Sequence, residues 1–146
     1  MRFPYVVFPA KSDAAFPNRR LCARPLIKVL LRKGPRSLLT YAIVDSGADQ
    51  CIFPASLATH LGITIPNPNT YVFSGTQDSP QIAYFDTVTA TLWNWNPAEA
   101  VITFELYAGF CQTLEHVGLG LLGQDGFFSR FTVNFDSRNL QFDVSA

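Results

Sequence analysis

Glycine and proline recur along this chain so often that it must turn many times. Its 146 residues hold nine Gly and ten Pro spread along their length, and these are the residues that most often mark turns. What lies between them has the period of a β-strand. Thr87-Val88-Thr89-Ala90-Thr91-Leu92 alternates polar with apolar, as do Phe131-Thr132-Val133-Asn134-Phe135-Asp136 and Leu140-Gln141-Phe142-Asp143-Val144. Period-two alternation sends one face to a core and the other to water. An aromatic content of 14% favours the same state. The pattern predicts about nine short strands, at 5–8, 24–32, 38–44, 70–73, 81–93, 100–107, 119–122, 131–136 and 140–144. The strands at 24–32 and 38–44 read as a hairpin across a five-residue turn at 33–37. Residues 54–62 read as a short helix with Pro near its start and Gly at its end, and 125–130 as a helical turn. The class is mostly β, a barrel or sandwich with one or two short helices.

Length and charge narrow the function. A chain of this size makes one domain. Residues 1–23 read as an N-terminal strand and arm, and 24–146 as the domain proper. Apolar residues are 48% and charged ones 15%, which excludes intrinsic disorder and a coiled coil. Eleven Lys+Arg balance eleven Asp+Glu. A nucleic-acid partner is not expected without a basic excess. No apolar window reaches the length of a membrane-spanning helix, so no membrane partner is expected. The N-terminus lacks the pattern of a signal peptide, and a cytoplasmic setting is the default expectation. Cys22, Cys51 and Cys111 are odd in number and show no Cys-x-x-Cys spacing, which argues against a zinc site or a disulfide framework. Cys51 reads as a small buried hydrophobe. His60 and His116 read as isolated surface histidines, and Trp93 as a core residue.

One segment carries chemistry. In Ile43-Val44-Asp45-Ser46-Gly47-Ala48-Asp49 an apolar strand runs straight into an acid. A carboxylate at the end of a buried strand is costly unless it is hydrogen-bonded. Ser46 and the amides near Gly47 can supply those bonds, and Gly47 permits a tight turn. Asp-Ser-Gly alone is an ordinary turn sequence. Its surroundings are not ordinary: Ile52-Phe53-Pro54 and the short helix follow it, then a strand pair at 70–73 and 81–93, then Gly120-Leu121-Leu122-Gly123-Gln124-Asp125-Gly126-Phe127-Phe128. A serine-nucleophile reading lacks both a Gly-x-Ser-x-Gly elbow and an evident base.

This order of features resembles the retropepsin-like aspartic proteases over about residues 22–146. Their pattern is an apolar strand, Asp-[Thr/Ser]-Gly-Ala, a flap hairpin, then an apolar strand ending in Gly before a short helix. The resemblance implies an acid-protease barrel with a flap and, because the chain holds one Asp-Ser-Gly, a homodimer that brings two Asp45 carboxylates together across a two-fold axis. It implies an aspartic endopeptidase acting on extended peptide or protein segments, with no cofactor and no metal. Asp45 is then catalytic. Ser46 and Gly47 support it, and Gly47, Ala48, Asp49, Ser74, Gly75, Thr76 and Leu121 contact substrate. The alternative is a catalytically weak or inactive module of the same fold that dimerises or binds peptides. Two departures stand out. The flap tip, 74–80, has one Gly and one Pro. Gln124 stands where many retroviral relatives have an Arg that pairs with the acid matched by Asp49. Arg24 or Arg130 could substitute for it, Arg24 from the partner chain.

Overall fold

The alternating segments become the staves of a barrel. In a computed structural model, which describes residues 1–74, 79–94 and 101–146, those residues contain twelve β-strands and one α-helix. The barrel uses six of the strands: β4 (Leu26–Lys33), β5 (Arg36–Val44), β6 (Ile52–Pro54), β8 (Gln81–Trp93), β9 (Ile102–Cys111) and β10 (Gly120–Leu122). Their order is β4-β5-β10-β6-β9-β8, and pairing of β8 back onto β4, from Lys28↔Trp93 to Arg32↔Thr89, closes the ring. Closure removes the free edges that an open sheet would expose.

Alternation explains which faces turn inward. Ile27, Val29 and Leu31 of β4 are buried, as are Val88, Ala90 and Leu92 of β8 and Leu106, Ala108 and Phe110 of β9. Lys28 and Leu30 on β4 and Thr89 and Thr91 on β8 lie less buried between them, whereas the end of β9, from Ala108 to Cys111, is buried on both faces. Each large apolar side chain buried this way contributes about 1.5–3 kcal/mol. Phe53, Phe127 and Phe142 are also fully buried and belong to the same core as the strands.

Local chemistry sets the boundaries, and several differ from the sequence reading. The β4–β5 turn is two residues rather than five, since Lys33 pairs with Arg36 and Gly34 takes a φ of 54°. The 24–32 strand is broken at Pro25, which has no N–H to donate. β3 (Leu21–Arg24) ends before it and β4 begins after it. The 5–8 strand is found as β2 (Val6–Pro9), an unexpected strand β1 (Arg2–Pro4) precedes it, and β2 forms a separate hairpin with β3. That hairpin spans the boundary drawn after residue 23. β9 runs on to Cys111 instead of stopping at 107. Trp93 is exposed at the end of β8, not in the core. Within the expected helical turn at 125–130, Asp125 bridges to Gln50 and 126–130 form turns, with the Arg130 and Phe131 N–H groups both donating to the Phe127 carbonyl at 3.0 Å. The helix, α1 (Ala55–Leu61), ends at Gly62, whose left-handed φ of 72° lets its N–H bond back to the last turn. A 3-10 turn at Gln112–Leu114 is the other regular helical element among the described residues.

The two ends of the chain meet. β1 pairs with β12 (Gln141–Ser145), which pairs with β11 (Thr132–Asp136) in a three-stranded sheet. Arg2 grips Asp143 through two hydrogen bonds of 3.0 and 3.1 Å. That donation holds the Asp143 carboxyl below its ordinary range. No helix among the described residues is long and apolar enough to cross a membrane.

Candidate active site

Asp45 stands where β5 leaves the barrel. β10 runs parallel beside β5, with Leu122 opposite Val44, and the Asp45 N–H donates to the Leu122 carbonyl at 3.1 Å. The chain then turns, and the Ala48 N–H returns to the Asp45 carbonyl at 3.2 Å. Inside this turn the Gly47 N–H donates to Asp45 Oδ1 at 2.9 Å. Among the described residues this is the hydrogen bond the carboxylate receives, so one oxygen is held and Oδ2 is left for other work. Any side chain at Gly47 would begin 3.3 Å from Oδ1. That separation is tight for a Cβ, which makes glycine the residue that lets the amide approach the acid.

The loop is clamped from below by the segment after β10. Gln124 N–H donates to the Ala48 carbonyl and Asp125 N–H to the Asp49 carbonyl, each at 2.8 Å. The side-chain amide of Gln124 donates to the Ser46 carbonyl at 2.6 Å, and that of Gln50 to Asp125 at 2.7 Å. Gln124 therefore ties the turn down within its own chain. Within one chain and among the described residues, Ser46 is engaged through its main-chain carbonyl. Within one chain neither Arg24 nor Arg130 forms an ion pair with Asp49 among the described residues. Gly123 sits where the two segments cross, and its N–H donates to the Cys51 sulfur at 3.3 Å. Burial pushes the Cys51 thiol up to about 11, so it stays neutral and serves as packing.

The clamped loop forms one wall of an open cleft of about 440 Å³. The opposite wall is β7 (Thr70–Phe73), which pairs with the start of β8 as the outer strand of a hairpin. Of the residues singled out from sequence, Asp45, Gly47, Ala48, Asp49, Ser74 and Leu121 line this cleft. Ser46 is exposed on the outside of the turn. Gly75 and Thr76, with the rest of the flap tip at 77–78, lie outside the described residues. The Gly47 carbonyl accepts no hydrogen bond among the described residues, whereas the Asp49 carbonyl is taken by the Asp125 N–H.

Four lining residues were not anticipated: Gln50, Ile52, Tyr71 and Phe73. Tyr71 and Phe73 are two apart on β7, so they share a face, and their rings stack 6.0 Å apart. The signal for them was the strand period next to the expected flap. The histidines take no part: His60 Nδ1–H donates to the Ser56 carbonyl at 2.9 Å, and His116 is exposed in its loop. No group of three or more His, Cys, Asp or Glu with metal-binding geometry occurs among the described residues. The chain matches no protein-family model and no curated protein.

Proposed function

We propose that this protein is a homodimeric aspartic endopeptidase of the retropepsin type, in which Asp45 of each chain supplies half of a catalytic pair. The observation that carries the reading is the setting of Asp45. It is an acid at the mouth of a closed barrel, oriented by the Gly47 amide through one oxygen and open to a cleft with an aromatic far wall. One chain brings one such acid. Peptide hydrolysis by this route needs two, so the site is complete only in a two-fold pair.

Two carboxylates about 3 Å apart cannot both ionise and share one proton, the behaviour known from aspartic-protease dyads. The ionised member takes a proton from a water between them, and that water attacks the scissile carbonyl carbon. The protonated member gives its proton to the carbonyl oxygen. Collapse of the tetrahedral diol breaks the C–N bond as the amine nitrogen takes up a proton, releasing acid and amine. The apparent pKa values belong to the pair as a whole. The substrate lies extended, its backbone bonding to the Gly47 carbonyl and its apolar side chains facing Leu121, Ile52 and the β7 rings. Arg24, exposed at the end of β3, is the proposed cross-chain partner of Asp49.

Sedimentation equilibrium near pH 6 tests the assembly without any choice of substrate. The expected result is a species of twice the 16.2 kDa chain mass, forming by high micromolar concentration. A chain that stays monomeric there, with or without a peptide inhibitor, holds half a site and contradicts the reading.

A further inference from the structure

A second chamber opens beside the cleft. It measures about 300 Å³ and shares Gln50 and Tyr71 with the cleft wall, while Asp45 does not line it. It therefore lies to one side of Asp45, adjoining the cleft at Gln50 and Tyr71. Three rings build it. Phe85 forms the floor, buried at 3% exposure, with Tyr71 edge-on at 6.1 Å and Tyr107 tilted at 5.1 Å. The floor exists because Gly109 stands opposite Phe85 across the β8–β9 pair. A Cβ there would come within 2.7 Å of the Phe85 ring. Tyr107, two residues before Gly109 on the same face, is 53% exposed at the chamber mouth. Among the described residues none that lines it is charged; Gln50, Asn69, Thr70 and the two tyrosines are its polar residues.

From this arrangement we infer that the chamber is a specificity subsite for one aromatic side chain of the substrate, off-centre from the scissile bond. Aromatic rings gather edge-to-face at these separations, and Tyr107 presents an open ring to which a substrate ring adds. A charged side chain would be desolvated there with no counter-charge. The inference rests on the protease reading for its substrate but names residues that reading does not use.

The test uses peptides of about ten residues with two central Leu, in which a single Phe, Leu or Lys is walked through the outer positions. Cleavage by the wild-type protein and binding to Asp45→Asn by calorimetry are measured in parallel. The expected result is about a tenfold preference for Phe at one outer position. It appears in both assays, is lost in Tyr107→Ala and is retained in Tyr107→Phe. Cleavage with no aromatic preference, or a preference that survives Tyr107→Ala, overturns the subsite and leaves the protease reading standing. Phe-selective, Tyr107-dependent binding without cleavage does the reverse. Absence of both cleavage and Phe-selective binding removes both.

Discussion

Asp45→Asn is expected to abolish peptide cleavage, lowering kcat by at least about 10⁴-fold, while the protein folds and pairs as before. The two halves of this result have separate causes. Asparagine cannot take a proton from water, so a pair of them has neither a base nor an acid to offer. The amide oxygen can still accept the Gly47 N–H that Asp45 Oδ1 accepts now at 2.9 Å. The turn therefore keeps its hydrogen bond, and stability should change by less than about 1 kcal/mol. Cleavage assays on a peptide library, with thermal melts of both proteins, separate the outcomes. A mutant that retains cleavage removes Asp45 from the chemistry. One that loses cleavage only because it unfolds assigns Asp45 a structural role instead.

The largest expected effect on stability lies at Gly123. A Cβ built there would sit 2.5 Å from both the Ala48 and Gln50 carbonyl oxygens. These are backbone atoms on the loop that carries Asp45, and the Ala48 carbonyl is itself bonded by the Gln124 N–H at 2.8 Å. The Ala48 carbonyl cannot retreat without lengthening that bond. Gly123→Ala should cost about 3 kcal/mol or more by overpacking, which lowers Tm by about 10 °C in a domain of this size. The loop it displaces carries Asp45, so cleavage should fall as well. Gly118→Ala is the comparison. Gly118 has a φ of 67° and nothing within 4 Å of the added Cβ, so strain alone should cost about 1 kcal/mol. Equal melting of the two variants would show that the crossing at Gly123 is looser than described.

Some of this architecture was legible because the signals are local. Val88, Ala90 and Leu92 alternate along β8 and turn inward together; Gly62 stops α1 with a left-handed φ. The acid loop was legible for the same reason, since Asp45, Gly47, Ala48 and Asp49 are neighbours in sequence and line one wall of the cleft. What the reading missed depends on partners far along the chain. Nothing near residues 28–32 announces that they close the barrel against 89–93. Nothing near Arg2 points to Asp143, a separation of 141 residues. Nothing near Gln50 points to Asp125, 75 residues away, to which its amide donates. Gln124 was read as a lost cation, and its amide instead holds the Ser46 carbonyl. Tyr71 and Phe73 were within reach of pattern alone. Their i, i+2 spacing on the strand before the flap tip was present, but only the fold shows that this face turns to the cleft.

The central claim is that one active site needs an Asp45 from each of two chains. Subunit mixing tests it most directly. Wild-type protein is equilibrated with an equal amount of Asp45→Asn, above the dimerisation constant, and cleavage is followed per wild-type chain. Random exchange places half of the wild-type chains in mixed pairs that hold a single carboxylate, so activity should fall to about half. Further mutant should drive it towards zero. Activity unchanged by any excess of mutant would mean that each chain cleaves alone, and the shared pair of acids would be wrong.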